Sequence, residues 1–309
     1  MTSFVLRRLL QLPLVLGAVY VLTAALLVLA PGDILEGGEK ASTPEARQAR
    51  MRRLHLDQHP LRRFAVTYPL ELIVRRDLPS MEYNDWTVSE IMAMSFPVSA
   101  QLGLFALVLA VVGGTAMGTA AAVFRGTPLD HLSVGLALAG VSLPVFVIAE
   151  AGLILFAAVW PVLPVGGWGR PAQLILPGVT LSLPFMAYIA RLMRAEMIEV
   201  LAQDFVRTAR AKGCGRWRVV FGHAFQVSFL PVLSYLGPAA AGVLTGSFVV
   251  EKVFRIPGLG THFVNSVRNG DQTLALGIVL LYAGLLVVFN LLVDLAYAAV
   301  DPRIRVGRP

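Results

Sequence analysis

The chain has 309 residues, of which 56% are hydrophobic and 15% are charged, and its formal net charge is +7. Soluble proteins carry about 25% charged residues, and the apolar residues here form runs longer than a soluble core needs. The composition therefore favours a membrane protein. The basic residues fall largely between those runs and no nucleic-acid-binding motif occurs, so the charge does not indicate a nucleic-acid partner.

The first apolar run follows Arg7 and Arg8 and continues from Leu9 to Ala30, a length of 22 residues. A secretory signal would have an apolar region of about 7–15 residues. This run is instead long enough to cross about 30 Å of hydrocarbon. We therefore predict that residues 1–30 contain an uncleaved first span with its N-terminus inside.

Residues 31–95 have a different composition. The Pro31–Asp33 turn is expected to end the first span, and the segment contains nine basic and ten acidic residues. Charged residues are mixed with helical spacing from Pro44 to Arg63. We expect a solvated outer region with short helices. Its basic residues do not conflict with this orientation, because loops of this length translocate largely regardless of charge.

Five further apolar runs follow, and each is long enough to cross a membrane with some tilt. We place them at about 96–124, 131–160, 172–193, 228–250 and 273–297. They are rich in Gly, Ala, Ser and Thr, which let membrane helices approach closely. Arg191 and Arg194 are expected to close the fourth span with their charged ends at the interface. The predicted fold class is an all-α membrane protein of about six transmembrane helices, with a five-helix core at 96–309.

Basic residues also predict the orientation of the spans. With the N-terminus inside, the inner segments contain thirteen basic residues and the two short outer loops contain four. This excess on one side agrees with the positive-inside rule. Both termini are therefore expected in the cytoplasm, including the C-terminal cluster of Arg303, Arg305 and Arg308.

The segment Arg191–Pro231 interrupts the apolar runs with seven basic and three acidic residues. Apolar residues recur at every fourth position of its first half, at Met197, Leu201, Phe205 and Ala209. This period predicts one face of an amphipathic helix. Gly213 is expected to end the helix, because glycine readily takes the left-handed conformation. The pattern alone fits equally a helix that docks on a partner and a basic loop that fixes topology.

Two carboxylates lie inside predicted spans. Glu150 falls within the third span, where an ionisable group is costly and indicates a functional site. It is a candidate residue of a translocation path; a polar cavity or a position nearer the interface are the alternatives. Asp294 lies near the inner end of the last span and is interpreted as structural.

The outer loop at 251–272 predicts two local features. A tight turn is expected at Pro257, Gly258, Leu259 and Gly260. A short amphipathic helix is expected after it, with Phe263, Val264 and Val267 on one face. The loop either caps the helix bundle or faces a protein that delivers a substrate.

Several short segments occur in a characteristic order. They are SFPVSAQLG at 95–103, LPVGGWG at 163–169, RTARAKG at 207–213 followed by His223-Ala224, LPVLSYLGPA at 230–239, GSFVVEKVFRIPGLG at 246–260 and DPRIR at 301–305. Together they resemble the membrane permease subunits of ABC importers in the oligopeptide, dipeptide and nickel branch, most of all the B-type subunit of oligopeptide permeases. The chain departs from that branch at Gln226-Val227, where a basic residue or an Asn is usual.

This resemblance implies the type I ABC importer permease architecture, with a cytoplasmic coupling loop at about 194–227. Within the loop, the residues implied to contact the ATPase are Arg207, Thr208, Ala209, Arg210, Ala211, Lys212 and Gly213. The implied partners are two cytoplasmic ATPase subunits, a second homologous permease subunit and the lipid bilayer. A periplasmic or lipid-anchored solute-binding protein would face the 257–260 turn. The implied cargo is oligopeptides, with dipeptides, nickel chelates and other small solutes as alternatives.

The chain contains no GxxxxGK[ST] motif, so it is not expected to be an enzyme or to bind nucleotide in that way. ATP and Mg are expected on the partner ATPase subunits, and no cofactor or metal is expected on this chain. An ion-coupled secondary transporter would need more intramembrane charges and usually an internal repeat. An intramembrane protease would need a nucleophile and a base, but Ser247 lacks a GxSxG turn and His262 lies in a loop.

Overall fold

The computed structural model describes residues 2–29, 44–74, 77–83 and 85–300. Its helices, in chain order, are α1 Thr2–Leu29, α2 Pro44–Arg53, α3 Pro60–Arg62, α4 Tyr68–Val74, α5 Val88–Val123, α6 Pro128–Ser142, α7 Val145–Leu153, α8 Pro171–Leu201, α9 Asp204–Ala211, α10 Arg216–Val219, α11 Phe225–Leu244, α12 Phe248–Val253, α13 Leu259–Asn269 and α14 Gln272–Val300. Wider π-type turns lie at Arg63–Thr67, Ile154–Val159 and Val220–Ala224. An isolated antiparallel bridge joins Pro79 to Thr87.

Within the described ranges, five helical stretches are long and apolar enough to cross a membrane, and the bent pair α6 and α7 brings the number to six if it counts as one span. The all-α membrane fold with about six spans is thereby confirmed. The predicted C-terminal cluster, the DPRIR segment and the Pro31–Asp33 turn lie outside the described residues.

The third predicted span, 131–160, is not one straight helix. α6 ends at Ser142, α7 begins at Val145, and the two differ in direction by 106°. Leu143 between them is extended, with φ −83° and ψ 130°. The residue before a proline is disfavoured in the helical region, so Pro144 explains the break.

One compact unit comprises residues 1–99 and 257–287. Its core gathers apolar residues from α1, the 54–81 segment, α5, α13 and α14, among them Ala24, Leu54, Phe64, Tyr68, Leu78, Ile91, Leu259 and Leu274. The 31–95 region, which is expected to be solvated and to contain short helices, therefore also contributes buried side chains to a core. Arg63 in that region is 3% exposed and donates a 2.6 Å hydrogen bond to Gln272 Oε1.

A buried carboxylate joins the 80–82 turn of this unit to the start of α14. Asp271 is fully buried and accepts hydrogen bonds from Ser80 Oγ at 2.5 Å and from the Glu82 backbone N–H at 3.0 Å. It also accepts the Leu274 N–H at 2.9 Å, as a capping residue does at a helix start. The carboxylate thus satisfies donors from two distant parts of the chain.

Replacing Asp271 with alanine is expected to lower stability by about 3 kcal/mol, because buried donors lose their acceptor. In a chain of this size that corresponds to a fall of roughly 6–12 °C in the unfolding midpoint. The measurement is thermal unfolding of the purified protein in mild detergent. Asp85→Ala, at an exposed position of the same unit, is the control. Equal midpoints for the two variants would contradict the capping role.

The second unit comprises residues 100–256 and 288–309. Glycines allow its long helices to pack closely. A Cβ on Gly118 of α5 would lie 2.5 Å from the Ala190 carbonyl oxygen of α8, and a Cβ on Gly103 would lie 2.5 Å from the Val243 carbonyl oxygen of α11. Heavy atoms do not approach so closely, so these helices can pack in contact only because glycine has no side chain at these positions.

Replacing Gly118 with valine is expected to destabilise the protein by about 1–3 kcal/mol through overpacking between α5 and α8. The measurement is again the unfolding midpoint in detergent, together with the yield of inserted protein. Gly135→Ala in α6 is the matched control, because nothing lies within 4 Å of the added Cβ. A Gly118→Val variant as stable as this control would refute the close contact.

Candidate functional site

The predicted coupling helix is separated from α8 by a short non-helical segment. α8 continues past the expected end of the fourth span to Leu201, and Gln203 is extended, with φ −73° and ψ 156°. The prediction of one continuous face from Met197 to Ala209 is therefore wrong: Met197 is fully buried, whereas Phe205 is 40% exposed. A signal for the break was present, because an acidic residue such as Asp204 favours the first turn of a helix.

The end of α9 agrees with the sequence. Gly213 has φ +81°, its N–H bonds the Arg210 carbonyl at 2.9 Å, and the Cys214 N–H bonds the Ala209 carbonyl at 3.1 Å. This pair of bonds is the Schellman motif, in which a left-handed residue closes a helix. The predicted helix end at Gly213 is confirmed.

α9 presents a mostly exposed, basic surface. Of the residues implied to contact the ATPase, Ala209 is half-buried and the others are exposed, namely Arg207, Thr208, Arg210, Ala211, Lys212 and Gly213. Val206 is fully buried and anchors the helix. Arg207 Nη1 lies 3.3 Å from Asp204 Oδ1, an exposed pair that leaves the guanidinium near solvent. Most side chains of α9 therefore face solvent, while Val206 packs against the rest of the protein.

Arg216, immediately after the coupling motif, ties it to the end of α5. Its Nη2 donates a hydrogen bond to the Val123 carbonyl, and its guanidinium lies 4.7 Å from the centre of the Phe124 ring. The Trp217 ring meets the same Phe124 ring edge-on, with centroids 6.4 Å apart. Sequence reasoning missed these contacts, because residues 93 positions apart carry no shared pattern.

A second ion pair fixes the α5–α6 loop to α8. Arg194 donates from Nε to Asp130 Oδ1 at 2.6 Å and from Nη2 to Oδ2 at 2.9 Å, a bidentate geometry. The Gly126 N–H donates to the same carboxylate at 2.9 Å. Asp130 is 4% exposed. Arg194, which is expected to extend towards the interface, has a side chain that is 29% exposed and a guanidinium that is paired with Asp130.

These contacts connect the coupling helix to three long helices. From α9 the connection passes through Arg216 to Val123 of α5, then along the loop to Asp130 of α6, and through Arg194 to α8. A cavity of about 400 Å³ lies beside α9, and it is lined by Val123, Leu201, Arg210, Cys214, Arg216 and Val220. The segment that follows α9 is therefore in contact with α5, and the α5–α6 loop is in contact with α8.

Glu150 lies on α7, after the break, rather than in the middle of a straight span. Its side chain is exposed, as are those of Phe146 and Ile154 on the same face. The structure does not bring Glu150 together with the coupling helix residues.

The Pro257–Gly260 segment is not the predicted tight turn. The left-handed residue is Arg255, with φ +54°, and α13 already begins at Leu259. Pro257 is exposed, but Gly258, Leu259 and Gly260 are buried, and the Leu259 N–H donates to Ser99 Oγ at 2.7 Å. The amphipathic helix after it is present as α13, although its Val267 is 58% exposed and does not face the core.

The exposed side of α13 is held to the 80–83 turn by polar contacts. Asn269 Nδ2 donates to Glu82 Oε1 at 2.6 Å, and the Tyr83 and His262 rings meet at 66°, with centroids 5.7 Å apart. Burial lowers the pKa of the His262 imidazole, while Glu82 acts in the opposite direction. Burial also raises the pKa of the Tyr83 hydroxyl. The two rings thus form a half-buried contact between α13 and this turn.

The model of the family described as "Binding-protein-dependent transport system inner membrane component" matches residues 114–306. This chain belongs to that family. The predicted transport permease is thereby confirmed, and the secondary-transporter and protease alternatives are disfavoured.

Curated relatives in the family match the chain along its whole length. The oligopeptide transport system permease protein OppB of Salmonella typhimurium is 42% identical over 99% of this chain and 100% of its own length. OppB of Haemophilus influenzae is 40% identical over the same shares. The dipeptide transport system permease protein DppB of Bacillus subtilis is 36% identical over 100% of this chain and 99% of its own.

Proposed function

We propose that this chain is one permease subunit of an ATP-driven importer and forms half of the translocation path for oligopeptides. The observation that carries the proposal is the end-to-end similarity to permeases named for oligopeptide transport, at 40–42% identity. Dipeptides are the second candidate cargo, because the Bacillus subtilis relative is named for dipeptide transport. Nickel chelates and other small solutes are the remaining alternatives.

The proposed assembly contains a second homologous permease subunit, two cytoplasmic ATPase subunits and a periplasmic or lipid-anchored solute-binding protein. ATP and Mg bind to the ATPase subunits. The excess of basic residues in the predicted inner segments supports a cytoplasmic position for α9 and both termini. The 257–260 segment and α13 then lie on the outer side, where Pro257 and the exposed face of α13 meet the solute-binding protein.

In this assembly, α9 acts as a short lever. Its exposed basic residues dock on the ATPase, and Val206 keeps it attached to the permease. Closure of the ATPase pair moves α9, and the contacts through Arg216, Asp130 and Arg194 transmit that movement to α5, α6 and α8. The spans then change between inward-open and outward-open arrangements, a rigid rocking between two states.

The test begins with gentle detergent extraction of the native complex and mass spectrometry of the subunits that co-purify. The complex is then reconstituted in liposomes with its solute-binding protein, and uptake of a tetrapeptide, a dipeptide and a nickel chelate is measured with ATP inside. Tetrapeptide uptake that requires ATP supports the proposal. A chain that is extracted alone and stable, or uptake driven by an ion gradient, would overturn it.

A further inference from the structure

The break between α6 and α7 creates an irregular point inside a stretch that is otherwise apolar. Discontinuous membrane helices are tolerated where they are covered by protein or line a water-filled cavity, and in transporters they commonly form substrate sites. Beyond the break, α7 and the following π-type turn continue to Val159. Glu150 lies six residues after Pro144, about 9 Å along the helix from the break.

The orientation of α7 is fixed by one packed face. Ala149 is fully buried, and a Cβ on Gly152 would lie 3.2 Å from Leu176 Cδ1 of α8. Glu150 lies on the opposite, exposed face, between Phe146, which is 54% exposed, and Ile154, which is 60% exposed. Its carboxylate has no hydrogen bond or ion pair with any residue in the part of the chain that the structure describes.

Such a carboxylate does not belong against lipid. Ionisable side chains within membrane-spanning segments are rare, and they almost always face the interior of the helix bundle or a water-filled cavity. The apolar neighbours on the same face offer it no compensating contact. The Glu150 face must therefore look into water or towards a positively charged group supplied from outside this chain.

We propose that Glu150 binds the α-ammonium group of the transported peptide at the broken helix. The inference rests on the proposed function and assigns one ligand group to this position. Every unmodified peptide carries that cation whatever its side chains, so one carboxylate serves a varied set of substrates. A lysine or arginine side chain of the peptide has the same charge chemistry, and the experiment separates the two sources.

The first measurement is ATP-dependent uptake by reconstituted transporters that carry Glu150→Gln or Glu150→Asp, at equal amounts of assembled complex. The peptides are one tripeptide with neutral side chains and one with a lysine. At sub-saturating peptide, Glu150→Gln is expected to lower uptake of both peptides about tenfold, equivalent to 1.4 kcal/mol. Glu150→Asp keeps the charge and is expected to retain most of the rate.

The pattern across peptides decides the source of the cation. A loss confined to the lysine peptide would assign the contact to a side chain and overturn the amino-terminal assignment. Wild-type uptake of both peptides by Glu150→Gln would overturn the inference while leaving the proposed function intact. Absence of ATP-dependent peptide uptake in the wild type would overturn the proposed function and the inference with it.

The second measurement asks whether position 150 faces water and substrate. Cys214 is the only cysteine in the sequence, so Glu150→Cys in a Cys214→Ser background places a single thiol there. In the assembled transporter this thiol is expected to react with a water-soluble thiosulfonate reagent and to be protected when loaded solute-binding protein and ATP are added. Leu132→Cys, on an exposed apolar position of α6, is the comparison.

A thiol at position 150 that reacts no faster than the one at position 132 would show that lipid or another subunit covers this face. Reaction without protection by peptide would show that position 150 is accessible to water but that the peptide ammonium does not bind there. Either result would overturn the inference.

Discussion

Replacing Asp130 with alanine is expected to be among the most damaging single substitutions in this chain. Asp130 is 4% exposed and holds the Arg194 guanidinium through two hydrogen bonds of 2.6 and 2.9 Å. The Arg194 side chain is 29% exposed, so water compensates part of its charge, and losing these charge-assisted hydrogen bonds is expected to cost about 1.5–3 kcal/mol. The Gly126 N–H loses its acceptor as well. We expect a lower unfolding midpoint in detergent and loss of coupling between ATP hydrolysis and uptake.

The chain contains its own control for this prediction. Asp204 and Arg207 form a second aspartate–arginine pair at 3.3 Å, but their side chains are 95% and 73% exposed. Exposed pairs contribute about 0–1 kcal/mol, so Asp204→Ala should leave the midpoint almost unchanged.

A double-mutant cycle isolates the buried pair. Asp130→Ala combined with Arg194→Met removes both charges, and removing both is less costly than leaving one unpaired. We therefore expect the double variant to be more stable than Asp130→Ala alone. Additive losses in the cycle, or an Asp130→Ala variant as stable as Asp204→Ala, would show that the ion pair does not hold α6 to α8.

Replacing Gly213 with valine is expected to uncouple transport while leaving the protein inserted in the membrane. Gly213 has φ +81°, where a β-branched residue is strained by about 1–2 kcal/mol or more. Relief of that strain breaks the bonds from Gly213 and Cys214 that close α9. The C-terminal end of α9 is then no longer fixed. We expect uptake per ATP hydrolysed to fall about tenfold, equivalent to 1.4 kcal/mol.

Two neighbouring substitutions separate backbone strain from other effects. Gly213→Asn should retain most of the coupling, because asparagine tolerates the left-handed region better than other side chains. Gly215→Ala should be nearly neutral, because Gly215 has φ −62° and nothing lies within 4 Å of an added Cβ. The measurement is peptide uptake and ATPase rate on the same reconstituted samples. Normal uptake by Gly213→Val would refute the lever.

The membrane class, the approximate spans and the position of the amphipathic segment that ends at Gly213 follow from the amino-acid sequence alone. Hydropathy identifies the spans, because a long apolar run has few alternatives to crossing a membrane. Gly213 was predicted correctly because its signal is local: a glycine after a basic last turn closes a helix within a few residues.

The tertiary structure decided everything that depends on distant partners. Asp130 and Arg194 are 64 positions apart, and Ser80 and Asp271 are 191 apart, so no periodicity links them. The same reason applies to Arg194: the sequence shows a basic residue near a span end but not the carboxylate that pairs with it. The breaks at Gln203 and Leu143 have local signals in Asp204 and Pro144, but apolar residues continue through both, so hydropathy alone predicts a continuous helix at each.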